Sequence, residues 1–251
     1  MQPIKRETLH IFDLMLKQLI RLSNAAVIQF INGLFGTNHP LDSTVEYPNT
    51  ETVSRKLRKI MSDTVIIIGG LHAYHIEGEI DNDNVALKVF EYGFAEGLRT
   101  QSIAEDNVRT IRFPQARVIY WETSGNTPNE TTLRLIFPDE TRYDYKVKSF
   151  KFLDHYINEL AKQKMAILLP FYLLKLRKRV VSAKTSVQRT ALSAEMKTIF
   201  DELVAAVDRS AEAGLMSESD KRIVLEHMER LYRELYSQYP ELTEGAPVRC
   251  M

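Results

Sequence analysis

Three carboxylates and a pair of glycines carry the strongest chemical signal in this chain. Asp63, Glu77 and Glu79 fall within residues 61–80, Met-Ser-Asp-Thr-Val-Ile-Ile-Ile-Gly-Gly-Leu-His-Ala-Tyr-His-Ile-Glu-Gly-Glu-Ile. This stretch reads as a β-hairpin: a β-branched run at 65–68, a Gly69-Gly70 turn able to take positive φ, and a returning strand over 73–80. A three-residue loop at 69–71 pairs Ile68 with His72 and places Asp63 opposite Glu77. Side chains alternate along a strand, so His75, Glu77 and Glu79 share a face, and that register gathers Asp63, Glu77 and Glu79 on one patch. A two-residue turn would slip the pairing by one and send Asp63 to the other face.

Clustered carboxylates repel one another, and a hard divalent cation relieves the repulsion. Mg²⁺ takes a few carboxylate oxygens, keeps several waters and activates one of them against a phosphodiester. The same alternation of Glu with Ile and Tyr is also what a half-buried strand with one wet side produces. Spacing alone leaves both readings open.

The elements that must position this patch follow from periodicity. Apolar residues at Ile11, Leu14, Met15, Leu19 and Leu22 predict a helix over 7–22, on which Asp13 and Lys17 stand four apart and can pair. A second helix is expected over 24–35 with Gly36 as its C-terminal cap. Residues 37–48 read as a loop with a brief strand at 44–47, and 55–61 as a strand leading into the hairpin. Asp81-Asn82-Asp83-Asn84 offers N-cap chemistry for a helix over 85–98. On it Lys88, Tyr92, Ala95 and Arg99 share one face, while Val85, Val89 and Phe90 suit burial. Strands are expected at 116–122, 131–137 and 143–147, then helices at 150–163 and 171–181 broken at Pro170. An αα-hairpin over 193–213 and 219–238 turns near Gly214. The order predicts an α/β fold with a small mixed sheet, followed by a helical C-terminal extension. The expected division is a core over 1–160 and an extension over 161–251.

Composition narrows the classes. The 251 residues suffice for a full core, and 44% hydrophobic with 26% charged residues is ordinary for a globular chain. No basic region precedes an apolar run at the start, so no signal peptide is expected, and the longest apolar run, 165–174, is too short to span a bilayer. Cys250, the only cysteine, excludes an internal disulfide and fits a reducing cytoplasm. Net charge is zero, yet its distribution is uneven. From 160 to 194 there is no acidic residue, while Lys162, Lys164, Lys175, Arg177, Lys178, Arg179, Lys184 and Arg189 contribute eight positive charges. Such a run is either a solvated face or a surface that contacts phosphates. Scattered histidines, no phosphate-cradling loop and no nucleophile elbow exclude the commoner alternatives.

These residues, in this order, resemble the Rpn-type recombination-promoting nucleases, a group also labelled transposases, of the PD-(D/E)XK superfamily. The likeness covers roughly residues 7–180. It rests on Asp13 with Lys17; on Phe30-Ile31-Asn32-Gly33-Leu34-Phe35-Gly36; on 44–51; on Asp63 with Ile76-Glu77-Gly78-Glu79 starting thirteen positions later; on Lys88-Val89-Phe90-Glu91-Tyr92; and on 149–154 with 169–177. Each motif is weak alone, and together they are fairly specific. The resemblance implies a restriction-endonuclease-like α-β-β-β-α-β core and a metal-dependent DNA endonuclease that promotes recombination or transposition. By position, Asp63, Glu77 and the main-chain carbonyl of Gly78 would hold Mg²⁺ or Mn²⁺.

The third motif position departs from the pattern, since Glu79 stands where the superfamily has Lys and this group often Gln. A second glutamate supplies no positive charge. It offers instead a further ligand, a general base, or the mark of a domain without activity. Lys88 is the candidate to reach back into the site. Lys175, Arg177, Lys178 and Arg179 are the candidate DNA contacts, and the C-terminal helices are a candidate surface for homo-oligomerisation. The alternative function is a catalytically silent nuclease-fold protein that binds DNA or a protein partner.

Overall fold

The computed structural model describes residues 6–48, 51–53, 59–61, 64–80, 84–103 and 108–243. In chain order the elements are α1 (Arg6–Leu19), α2 (Asn24–Phe35), β1 (Val45–Glu46), β2 (Glu51–Val53), β3 (Lys59–Met61), β4 (Thr64–Ile68), β5 (His72–Glu79) and α3 (Val85–Arg99). There follow β6 (Ser102–Ile103), β7 (Arg109–Thr110), β8 (Gln115–Tyr120), β9 (Glu130–Ile136), β10 (Arg142–Lys151), α4 (Ile157–Lys162), α5 (Leu174–Ser182), α6 (Ser186–Glu212), α7 (Glu218–Tyr236) and α8 (Pro240–Thr243). Short 3-10 helices occupy Phe152–Asp154 and Ala166–Leu173. The class is α/β. No helix among the described residues is long and apolar enough to cross a membrane.

The chain divides into two compact units: Met1–Asp13 with Asp42–Phe152, and Leu14–Leu41 with Leu153–Met251. The first holds a mixed sheet of six strands in the order β1-β4-β5-β8-β10-β9. β1–β4, β4–β5 and β10–β9 are antiparallel, whereas β5–β8 and β8–β10 are parallel. The β4–β5 hairpin takes the three-residue register, with Ile68 opposite His72 and Thr64 opposite Ile76. Gly69 and Gly70 have φ of 61° and 69°, a region closed to most side chains, which fixes the turn and hence the register.

From β5 the chain crosses to its parallel neighbour β8 through α3. The helix buries Val85 and Val89 on Val118, Tyr120 and Val147 of the sheet. Against the other face, Phe12 of α1 meets the edge of Trp121 at 6.4 Å between ring centroids, and Trp121 meets Phe152 at 5.7 Å. All three side chains are fully buried.

The expected helix over 150–163 is corrected by this sheet. β10 runs on to Lys151 because Lys148–Lys151 pair in parallel with Arg117–Tyr120. The alternation Lys148-Ser149-Phe150-Lys151-Phe152 has a period of two, and a true helix begins only at Ile157, where the Tyr156 backbone N–H donates to the Glu159 carboxylate at 2.9 Å.

The second unit is helical. Gly36 caps the end of α2 in the left-handed region, as expected, and the Ser23 hydroxyl caps its start by accepting from Ala26 N. α6 starts seven residues before the expected 193, at a capping box formed by Thr185 and Gln188. The apolar positions of α6 and α7 are spent inside this unit: Phe200, Leu203, Val224, Met228, Leu231 and Tyr232 are all buried. Tyr236 donates its hydroxyl to the Leu173 carbonyl at 2.6 Å.

Candidate functional site

β5 and α3 build the site. Parallel pairing sets Glu77 beside Val118 and Glu79 beside Tyr120, so both glutamates lie on the α3 face of the sheet, the face that carries the apolar core. Glu77 is consequently 0% exposed, and the Glu79 side chain is 13% exposed. Burying a carboxylate in such surroundings requires a partner. Lys88, in the first turn of α3, provides it. Its ammonium is ion-paired with Glu77 Oε1 and donates to Glu79 Oε1 at 3.0 Å. The lysine side chain remains 38% exposed, so the cluster opens to solvent on the helix side.

His75, one position before on the same face, is fully buried. Its Nε2 lies 3.5 Å from Glu77 Oε2, and its ring packs edge-on to Tyr92 at 5.5 Å. Lys88 and Tyr92 are one helical turn apart, so a single stripe of α3 covers both ends of the His75–Glu77 pair. Histidine at 75 and tyrosine at 92 were visible in the sequence as members of these two faces. Their mutual contact depends on how α3 crosses the sheet and could not be read from spacing.

Gly78 points to the opposite face. A Cβ there would stand 2.8 Å from Trp121 Nε1 and 3.4 Å from Asp13 Oδ1, so the absence of a side chain is what admits the indole and the aspartate. Asp13 is thus adjacent to the Glu77-Gly78-Glu79 backbone from the far side of the sheet. Arg117 lies on that far face as well, paired with Ile76, and burial pushes its guanidinium below the usual arginine range.

The Gly78 carbonyl also has a definite direction. Trp121 N donates to the Glu79 carbonyl at 2.9 Å, which aims that carbonyl at β8. Successive carbonyls alternate along a strand, so that of Gly78 turns toward β4, beyond Thr64–Ile76, the last pair described in that ladder. Asp63, which the sequence places next along β4, lies outside the described residues.

Two glutamates against one ammonium leave one formal negative charge, offered by hard oxygen donors. Glu77, Glu79 and the Gly78 carbonyl come from three consecutive residues and suit Mg²⁺ or Mn²⁺ better than a softer ion. Among the described residues, no three His, Cys, Asp or Glu side chains are grouped so that they could hold a metal.

The basic segment is not a uniform positive face. Lys175 lies over the rings of Tyr156 and Tyr172, at 4.5 and 4.9 Å, and donates to the His155 carbonyl at 3.3 Å. Arg179 is ion-paired with Glu195 of α6, and Arg189 with Glu241 of α8 at 3.1 Å. Arg177 and Lys178 are half-buried on α5. Folding supplies from later helices the acidic partners that the linear segment lacks.

Compared with known proteins, the chain matches no family model, no curated protein and no solved structure.

Proposed function

We propose that the sheet unit is a restriction-endonuclease-like domain that hydrolyses DNA phosphodiesters with the help of Mg²⁺ or Mn²⁺, in the manner of the Rpn-type recombination-promoting nucleases it resembles. The observation that carries this reading is the buried Glu77 beside Glu79 on β5, with the Gly78 carbonyl turned toward β4, the strand that Asp63 immediately precedes in the sequence. The order β1, β4, β5, α3, β8, preceded by helices and arranged as an antiparallel run joined to a parallel strand, supports it, since it has the succession expected of that core. Asp63, Glu77 and the Gly78 carbonyl would hold the ion, with Glu79 as a further acid or base. A bound divalent ion supplies an activated water and charge neutralisation at the cleaved phosphate.

The chain's own groups divide the remaining work. Lys88 places on α3 the positive charge that Glu79 denies to the third motif position, within reach of both carboxylates. His75 and Tyr92 hold the Glu77 side chain in place from behind. Arg177, Lys178 and the neighbouring basic residues would contact the phosphate backbone without reading bases. Cleavage of this kind would initiate recombination or transposition in the cytoplasm.

One observation favours a second reading. Because Lys88 already neutralises Glu77, the carboxylate can stay buried without a metal. That is what a silent nuclease-fold protein, retained for binding DNA or a protein, would also show.

Supercoiled plasmid incubated with purified protein and Mg²⁺ or Mn²⁺ separates the two. The nuclease reading expects nicked or linear product that requires the metal and disappears in Asp63→Ala and Glu77→Ala, with DNA binding retained. Intact plasmid throughout, together with no metal binding by calorimetry, would leave the silent reading.

A further inference from the structure

Glu96 is a second buried acid on α3, and the chemistry proposed above does not use it. The helix buries Val85, Val89, Gly93, Glu96 and Gly97 in one stripe, so an ionisable side chain sits where the pattern calls for an apolar one. Glu96 is 6% exposed. Arg99 Nε lies 3.5 Å from Oε2, a loose pairing, while Oε1 accepts no hydrogen bond among the described residues. A buried carboxylate oxygen with no donor costs stability unless something outside the chain satisfies it.

Glu96 lines a cavity of about 350 Å³ beside the hairpin turn, together with Gly70, His72, Tyr74, Arg112 and Phe113. This volume is more than ten times the roughly 30 Å³ share of one water and falls within the range of small-molecule sites. The walls are brought together by two glycines. A methyl on Gly93 would stand 2.5 Å from Phe113 Cδ1, and one on Gly97 would stand 3.2 Å from the Arg112 carbonyl oxygen. Without side chains at 93 and 97, the segment carrying Arg112 and Phe113 lies directly on the helix next to Glu96.

The cavity is polarised. Its lining joins a buried carboxylate, Glu96, to the exposed Arg112 and His72, with half-buried Ile67, Ala73 and Phe113 as its apolar part. An ammonium group satisfies Glu96 by a charge-assisted hydrogen bond. An acidic group suits Arg112, which presents a planar fork of donors. We infer that this cavity binds a small amine that also carries an acidic group, of which a free amino acid is the simplest form. Glu96 stands eight residues beyond Lys88, about 12 Å along the helix axis, so the site is separate from the Glu77 cluster and does not depend on the nuclease reading.

The test uses the full chain. Thermal melts are recorded with each common L-amino acid at about 10 mM, where a ligand that prefers the folded state raises the midpoint. The best ligand is then titrated by calorimetry beside its decarboxylated amine and its deaminated acid. The expected result is a rise of a few degrees with at least one amino acid, and binding by either fragment weaker by about tenfold or more. Glu96→Gln, close in shape to the wild-type side chain, and Arg112→Met should each weaken binding by a similar factor. No midpoint shift with any amino acid would overturn the inference. So would undiminished binding by Glu96→Gln, or an amine fragment that binds as well as the amino acid.

Discussion

Lys88 reaches Glu77 from the first turn of α3 and gives the fully buried carboxylate its counter-charge. One ammonium therefore pairs with the glutamate that would ligate the proposed cation, and the two would compete for it.

That competition can be measured. Lys88→Met leaves Glu77 buried with no cation beside it, and breaking such a pair is expected to cost about 2 kcal/mol. The figure is below that for a fully buried pair because the lysine is 38% exposed and water reaches its head group. If the carboxylates hold Mg²⁺, the ion should stabilise Lys88→Met more than the wild type, since it no longer displaces an ammonium. Urea unfolding of both proteins with and without Mg²⁺ reads the difference directly. Equal midpoints in all four conditions would mean that the lysine is a surface charge of little consequence and that no metal binds.

Gly78 carries a structural prediction on the opposite face. Gly78→Ala puts a methyl 2.8 Å from Trp121 Nε1, and the indole cannot swing aside freely because Phe12 and Phe152 close on it. Overpacking of this kind costs about 1–3 kcal/mol. Trp121 is the only tryptophan, so its emission reports this site alone. The variant should show a shifted emission maximum and a lower urea midpoint. Wild-type emission and stability together would show that the indole has room that the geometry denies it.

How much of this was legible beforehand depends on the kind of signal. The β4–β5 register follows from Gly69-Gly70 and the alternation around them, both local, and the hairpin forms with Ile68 opposite His72 as read. The end of α2 follows equally from Gly36. Lys88 was named from its place on a helix, and the crossover brings it to Glu77 and Glu79. Glu96 was passed over because only the contacts of Gly93 and Gly97 reveal that this stretch of helix is enclosed. The run from Lys162 to Arg189 reads as uniformly basic in one dimension, since Glu195 and Glu241 lie beyond it in the chain. Residues 150 and 151 read as the start of a helix in one dimension because their parallel partners, Ile119 and Tyr120, are some thirty residues distant.

Asp220 gives the acid side of the stability profile a specific cause. It occupies the third position of the α7 capping box, where Ser217 N and Oγ donate to Oδ2 at 2.9 and 2.8 Å. Ser23, the cap of α2, donates its N to Oδ1 at 2.8 Å and its hydroxyl to Oδ2 at 2.5 Å. Burial alone would raise this carboxyl, but the hydrogen bonds from Ser23 and Ser217 outweigh it and hold the group below the ordinary aspartate range. A depressed folded-state pKa contributes stability that is complete above the unfolded value, near 3.9, and is lost as pH falls through the lower folded value. Asp220→Asn keeps the shape but loses the charge-assisted bonds, and should cost about 1–3 kcal/mol at neutral pH. Denaturant melts from pH 7 downward should show that gap narrowing below about pH 4, as the wild-type carboxyl itself takes up a proton. A gap that stays constant to pH 2 would assign the loss to altered packing around Ser23, with no part played by the carboxylate charge.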